Sequence, residues 1–458
     1  MKFFRLFIIF AALSAIIGLG IYLLRPSFLP STVTPQINEV ALTPTSNNGR
    51  FVFLFNPARE LSDTEVEYVA NHYDIAVIGY QSDPQINSAR RIKALNPNIQ
   101  IYFYFPASLR QKTARYGTDV FREDWYLHDS LGNRISRGTT LDFVDLTQPS
   151  YTTWAKNQIL EFSSQADFRG VLMDNAINLT INGIGTKNTA WNSALTNFLT
   201  SLTSRLNQND QLVIYNGLGP ALSSRNDQHL SLTNGALNEY FCYDKSTSSL
   251  GSRNYLLEDI RYQQTAGNNK KIILQKVNWD NLTSLPSQTQ SKLGNLCYGV
   301  FLMGHVPGYT YFKFGQGYNL KQIPQEYETF VSAYDLSLGS PSENYQQNGT
   351  LLTRKFANGY VVVNINTQPT TWTAPRQLQQ FNNGNFTTIS AQQAITVPAQ
   401  SALFFLFNAT ASPTAPSQAG DLNGDSLVNL ADYNMLVSGY GTTYNLSHYN
   451  QLVANYGR

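Results

Sequence analysis

Residues 170–176 read GVLMDNA: three apolar residues run straight into an acid and an amide, with no turn residue between them. A buried strand normally excludes such an acid, because desolvating an unpaired carboxylate costs roughly several kcal/mol. The stretch therefore reads as a buried strand that carries Asp174 and Asn175 to a place where they are used. Seven similar β-branched or aromatic runs accompany it: RFVFLFN (50–56), DIAVIGYQ (74–81), QIYFYFPAS (100–108), QLVIYNG (211–217), ALNEYFCYD (236–244), KKIILQKV (270–277) and YGVFLMGH (298–305). Between most of them lie helical patterns, among them SDTEVEYVANHY, INSARRIKALNP, YTTWAKNQILEF, WNSALTNFLTSLTSRL and NYLLEDIRYQQ. Continuous apolar strands alternating with helices imply parallel strands covered on both faces. Eight such units are what a (β/α)8 TIM barrel needs.

The 458 residues exceed one ordinary core and accommodate two or three domains. Residues 1–25 read as an uncleaved signal anchor: no charge interrupts Leu6 to Leu24, Lys2 and Arg5 precede the run, and no A-x-A site follows it. This reading is preferred to a cleaved signal peptide, and either one places the remaining chain outside the cytoplasm, with the membrane as a partner only through the N-terminal helix. A Pro/Ser/Thr-rich linker (26–48) precedes the barrel (49–335), and strands alone then follow, as an antiparallel β-sandwich (336–408). A second linker (409–419) leads to a small helical module (420–458). Only 14% of residues are charged and the formal net charge is +2, while Tyr numbers 27. With no long Lys/Arg run, this composition suits neutral, hydroxyl-rich ligands outside the cell and argues against nucleic acid. Cys242 and Cys297 are too few for a disulfide framework and not spaced for a metal; two small buried residues is the preferred reading, a single disulfide the other.

In such barrels the chemistry sits at the C-terminal strand ends. The polar groups expected there are Tyr80, Asp174, Asn175, Asn216, Glu239, Asp244, Lys276 and His305. Glycoside hydrolysis needs two carboxyl groups flanking the scissile bond, one to protonate the leaving oxygen and one to attack or to activate water. Asp174 on strand four and Glu239 on strand six are the candidates, as nucleophile and general acid/base, with Asp244 the rival acid. The bland alternatives are a helix cap for Asp174 and an ion pair with Lys276 for Glu239. The long connection after strand three offers Trp125 as a flat face for a sugar and Asp142 and Asp145 as hydroxyl partners, or else Trp125 packs beneath the loop and Asp145 caps the helix beginning near Tyr151. No H-E-x-x-H, G-x-S-x-G or phosphate-loop pattern competes, and catalysis itself calls for no cofactor.

The series DWYLHDSLGN, LDFVDLTQPSYTTWAK, GVLMDN, GALNEYF, DLSLGSPSENY and RKFANGYVVVNIN resembles glycoside hydrolase-like family fifteen over roughly residues 50–408. The resemblance implies a TIM-barrel glycosidase with a C-terminal β domain and a carbohydrate substrate. An Asp on strand four with an acid on strand six is similar, more distantly, to the retaining α-galactosidase type of barrel. That likeness implies Asp174 as nucleophile and Glu239 at the acid/base position, where Asp is commoner. The tail resembles a type I dockerin: DLNGDSLVNLAD places Asp421, Asn423, Asp425, Leu427 (through its carbonyl), Asn429 and Asp432 at the ligand positions of a Ca2+ loop. Ser426 stands where the loop normally has Gly. NLADYNMLVSGYG (429–441) is repeated as NLSHYNQLVANYG (445–457) without the acids, so one structural Ca2+ is expected, and the tail's partner is cohesin-like or lies within its own chain. A glycosidase is thus expected, against a non-catalytic surface carbohydrate-binding protein on a degenerate barrel or a structural stalk protein.

Overall fold

The computed structural model describes residues 49–54, 59–79, 83–111, 121–218, 227–244, 246–278, 284–315, 331–382 and 384–407, and in the tail 420, 422, 428, 430–440, 444 and 446–456. The expected anchor (1–25) and both linkers lie outside these residues. Among the described residues no helix is long and apolar enough to cross a membrane.

The chain begins with β1 (Phe51–Leu54), α1 (Asp63–His72), β2 (Ile75–Ile78), α2 (Asp83–Leu95) and β3 (Gln100–Pro106). An insertion then supplies β4 (Leu109–Gln111), β5 (Ser136–Arg137) and β6 (Leu141–Phe143), and α3 (Pro149–Ser163) leads to β7 (Gly170–Asp174). Next come α4 (Lys187–Asn207), β8 (Leu212–Asn216), β9 (Gly235–Asn238), the hairpin β10 (Tyr243–Asp244) and β11 (Ser249–Leu250), and α5 (Arg253–Asn268). β12 (Ile272–Val277), α6 (Ser287–Gly304) and β13 (Thr310–Phe314) complete the first part. The strands β1-β2-β3-β7-β8-β9-β12-β13 form one parallel sheet in that order. It closes on itself where the Phe312 N–H donates to the Gly49 carbonyl at 2.9 Å. The protein is therefore a (β/α)8 barrel, as the strand pattern predicts.

Strand alternation sorts the side chains into two cores. Phe51, Phe53, Ile75, Val77, Tyr102, Leu172, Leu212, Ile214, Leu237, Ile272, Leu274 and Tyr311 fill the lumen. Val52, Ala76, Ile101, Phe103, Val171, Met173, Val213 and Ala236 face the helices. Gly170 opens its strand because a Cβ there would run into the backbone of Leu212 on the neighbouring strand. The first helix shows how local sequence fixes the frame: Ser62 and Glu65 form a reciprocal capping box at its start.

The eighth strand corrects the sequence reading. YGVFLMGH is not a strand but the end of α6, whose C-terminal half is buried on all sides and is accordingly apolar all round. One face packs on the barrel through Phe312 and Phe314, and the other on the β domain through Val361, Val363 and Phe404. Strand eight is TYFKF, and His305 consequently lies before it, at the opposite end from the mouth. There His305 is fully buried with Nδ1 2.8 Å from Thr310 Oγ1, so it is no substrate ligand.

The β domain comprises β14 (Gln346–Asn348), β15 (Leu351–Phe356), β16 (Gly359–Asn364), β17 (Thr370–Thr373), β18 (Leu378–Asn382), β19 (Asn385–Ile389), β20 (Ala394–Val397) and β21 (Ser401–Phe407). An antiparallel sheet in the order β14-β15-β16-β21-β18-β19 packs against the pair β17-β20 over Trp372, Val362, Ile395 and Phe405. In the tail, α7 (Leu430–Gly439) and α8 (Leu446–Asn455) share a small core of Val428, Leu436 and Leu452.

The cysteines also depart from the preferred reading: Cys242 and Cys297 form a disulfide with a Cα–Cα distance of 5.7 Å. Their separation of 55 residues hides the pairing from the sequence. It joins the segment after β9 to α6.

A second link between the barrel and the β domain is Arg354 of β15. Its Nη1 donates to the carbonyls of Leu302 (2.7 Å), Met303 (3.0 Å) and His305 (2.8 Å), and its Nε to that of Glu343 at 2.9 Å. The guanidinium thus caps the C-terminus of α6, whose last carbonyls have no partner within the helix. Arg354→Met leaves those buried acceptors unpaired and is expected to cost about 2–3 kcal/mol. Urea unfolding followed by fluorescence is expected to show a lower midpoint and an early transition for Trp372 in the β domain.

Candidate active site

Counting by twos from the lumen residues places six polar side chains in the layer next to the mouth. Tyr104 follows Tyr102, Asp174 follows Leu172, Asn216 follows Ile214, Glu239 follows Leu237, Lys276 follows Leu274 and Lys313 follows Tyr311. The strand-end expectation therefore holds for Asp174, Asn216, Glu239 and Lys276 as a matter of placement. Tyr104 and Lys313 are additions that sequence reading missed.

Three donors surround the Asp174 carboxyl. The Tyr104 hydroxyl meets Oδ2 at 2.5 Å, the Asn175 amide donates to Oδ2 at 2.7 Å, and the Asn216 amide donates to Oδ1 at 2.7 Å. Asn175 can reach back because its backbone is left-handed (φ 53°), a conformation that Asn tolerates better than most residues. Its own Oδ1 accepts from Arg137 at 2.9 Å, and its carbonyl accepts from Ser108 Oγ at 2.6 Å. Arg137 comes from the inserted sheet β4-β6-β5, so the insertion braces the end of β7. Burial pushes Asp174 above its ordinary value, the neighbouring Glu239 adds to the rise, and the donors oppose it.

Glu239 stands one residue beyond β9. The Asn278 N–H donates to its carbonyl, and the Phe241 N–H to the Lys276 carbonyl, both at 3.1 Å, so its backbone is sewn to β12. Lys276 Nζ lies 3.4 Å from Glu239 Oε1, and its side chain is fully buried. Burial pushes the Lys276 ammonium down to about 8, against the pull of Glu239 and Asp174. The expected ion pair between Lys276 and Glu239 is thus present inside the site itself.

The remaining candidates fall elsewhere. Trp125 is 4% exposed, ringed by Phe121, Tyr151 and Trp154 with Nε1 on Ser150 Oγ at 2.9 Å, so it packs beneath its loop and offers no open face. Asp142 is buried and holds the insertion together, accepting from Ser136 Oγ at 2.7 Å with Arg134 at 3.4 Å. Asp244 belongs to the β10–β11 hairpin, where the Ser246 hydroxyl and N–H hold its carboxyl below its ordinary value. Tyr80 lies outside the described residues, as do Asp421, Asn423, Asp425, Leu427 and Asn429 of the expected calcium loop. Among the described residues no cluster of three or more His, Cys, Asp or Glu could hold a metal ion.

A parallel barrel with two coupled carboxyl groups at its C-terminal strand ends is of the glycoside-hydrolase kind. The chain belongs to hypothetical glycosyl hydrolase family 15, whose model matches residues 93–360. No curated protein matches it in sequence. Among solved structures it is similar to a GH36 α-galactosidase from Geobacillus stearothermophilus in complex with raffinose, at 10% identity and a TM-score of 0.43 over 80% of this chain and 56% of that one. A Flavobacterium johnsoniae GH31 dextranase complexed with glucose gives 11% and 0.45 over 80% and 52%, and a xylosidase from Aspergillus niger 12% and 0.42 over 80% and 64%. The chain thus spans little more than half the length of those relatives.

The three donors make a prediction about pH. If Asp174 works as a carboxylate, rate is lost as pH falls through its raised value. Each donor favours the ionised form, so Asn216→Ala and Tyr104→Phe are each expected to raise that value further and move the acid limb of kcat/KM to higher pH. A shift confined to the alkaline limb would make Asp174 the proton donor instead.

Proposed function

We propose that the protein is a retaining glycosidase that cleaves O-glycosidic bonds of an extracellular oligo- or polysaccharide. The observation that carries this reading is the Asp174 and Glu239 pair: two carboxyl groups that feel each other electrostatically in one lumen layer, each with different partners. Asp174, whose donors offset part of the rise that burial imposes, is assigned as the carboxylate that attacks the anomeric carbon. Its Oδ1 takes a single side-chain donor, from Asn216, and is the oxygen assigned to the attack. Glu239 gives its proton to the leaving oxygen as the glycosidic bond breaks and the bond to Asp174 forms. In the second half it takes a proton from the water that displaces Asp174. Asn175, Asn216 and Lys276 would hold sugar hydroxyls alongside. A sugar-binding surface without chemistry relies on open aromatic faces, and burial of Trp125 weakens that alternative.

The test uses a panel of α- and β-linked aryl glycosides. On a hydrolysed substrate, Asp174→Asn is expected to lower kcat/KM by about 10³-fold or more. Glu239→Ala is expected to be rescued by azide, giving a glycosyl azide of retained configuration. Full activity in both variants, or an inverted product, sinks the assignment.

The Cys242–Cys297 disulfide supports an oxidising compartment and hence the outward orientation of the chain, as an anchored or secreted protein. We also propose one structural Ca2+ in the tail. Asp432, the last ligand position, fits: its buried side chain accepts the Leu422 N–H at 2.7 Å, folding the loop's end back on its start. Calcium at a hundred times its Kd would then stabilise the folded tail by about 2.7 kcal/mol. The expected readout is a tail transition in thermal unfolding of the full chain that falls with EDTA in the native protein but not in Asp432→Ala. An EDTA-insensitive native protein refutes the site.

A further inference from the structure

Arg137 lies on β5 of the insertion, outside the barrel sheet, and it is exposed. An exposed arginine ordinarily gives its donors to water. This one donates from Nη1 to Asn175 Oδ1 at 2.9 Å, and no carboxylate among the described residues pairs with it. Asn175 Nδ2 in turn donates to Asp174 Oδ2 at 2.7 Å. The bonds run in one direction, from guanidinium through amide to carboxyl.

That direction is forced by the groups at the two ends. Arginine offers donors only, and an ionised carboxylate offers acceptors only. Turning the amide over would set Nδ2 against the guanidinium and Oδ1 against the carboxylate, and both bonds would be lost. With Arg137 in place the amide has one orientation, and its N–H is aimed at Asp174 before any ligand arrives. The cation also polarises the amide, because hydrogen bonds in series strengthen one another. One N–H of Asn175 is left over for a sugar hydroxyl.

Both ends of this line are anchored. Ser136, next to Arg137, donates from Oγ to the buried Asp142 at 2.7 Å, and Arg134 lies 3.4 Å from the same carboxylate while pairing with Glu123. Arg137 itself stands in register with Leu141 on β6. On the other side, the left-handed backbone of Asn175 is held through its carbonyl by Ser108 Oγ at 2.6 Å.

We propose that Arg137 is a positioning residue: acting through the Asn175 amide, it favours the ionised form of Asp174, and the insertion is thereby part of the catalytic apparatus. Its consequence for turnover rests on the glycosidase reading, whereas its effect on Asp174 does not. The other charged or titratable groups that face Asp174 are Tyr104 from β3, Glu239 beyond β9 and Lys276 on β12, and they are common to every variant compared.

The experiment titrates the Asp174 carboxyl by NMR in full-length protein containing isotope-labelled aspartate, the signal being identified by its loss in Asp174→Asn. Native protein is compared with Arg137→Met, which keeps the stem without a donor, and with Arg137→Lys, which keeps a cationic donor. Unchanged urea midpoints show that both variants are folded. In Arg137→Met the titration midpoint is expected to rise by about half a pH unit or more, roughly threefold in proton affinity. Arg137→Lys is expected to recover most of that shift. On a hydrolysed aryl glycoside the acid limb of kcat/KM is expected to move with it, the alkaline limb staying in place. Asn175→Gly accepts the left-handed backbone, and adding Arg137→Met to it is expected to give no further shift of the midpoint. An unmoved midpoint in Arg137→Met, the same midpoint in the Met and Lys variants, or a full further shift in the Asn175→Gly background overturns the proposal. Failure of the glycosidase reading looks different: Asp174→Asn would then leave every turnover unchanged while the midpoint still moves in Arg137→Met.

Discussion

A carboxyl group in the lumen of a closed barrel is tolerated only if the surroundings replace the water it has lost. Asp174 meets that condition through Tyr104 on β3, Asn216 on β8 and Asn175 beside it, which come together only because β3, β7 and β8 are neighbours in the sheet. The barrel order is therefore a chemical requirement of this residue as well as a packing solution. Conversely, the donors fix the orientation of Asp174 before any ligand arrives, the kind of preorganisation on which electrostatic catalysis depends.

The opposite wall is held by different means. Glu239 stands outside its strand, yet backbone hydrogen bonds to β12 and the Cys242–Cys297 disulfide fix the segment that carries it. That disulfide ends on α6, whose C-terminal carbonyls are in turn capped by Arg354 from the β domain. A continuous path of covalent, hydrogen-bonded and apolar contacts thus runs from the β domain through α6 to the loop bearing the second acid. The β domain is in this sense part of the scaffold of the site, since it covers the helix that covers the last two barrel strands.

Much of this was legible in the sequence. Seven of the eight strands announce themselves as short apolar runs, and the five helical patterns lie where helices form, because both cores demand apolar residues at strand and helix spacing. Strand eight escaped because YGVFLMGH, as a helix buried on all sides, carries the same unbroken apolar signal as a buried strand. Misplacing it carried His305 to the wrong end of the barrel. Trp125 was ambiguous for a related reason: an aromatic residue in a long loop has the same composition whether it faces a ligand or fills the space beneath. Pairing of two cysteines 55 residues apart is a tertiary fact with no local trace.

The two residues that sequence reading missed at the site are instructive in a different way. Tyr104 and Lys313 have no motif, and their types alone do not distinguish them from other residues of their strands. What selects them is parity. Once Leu172 and Leu274 are known to face the lumen, every second residue on each strand must face it too, which turns Tyr104 and Lys313 inward near the mouth. The question that GVLMDNA raises about Asp174 applies equally to TYFKF: a charge at an inward position of an apolar strand needs either a partner or a ligand. Asp174 finds three donors within the fold. Lys313 stands in register beside Lys276 on the neighbouring strand, so the same inward parity that carries Asp174 to the mouth carries the two lysines there.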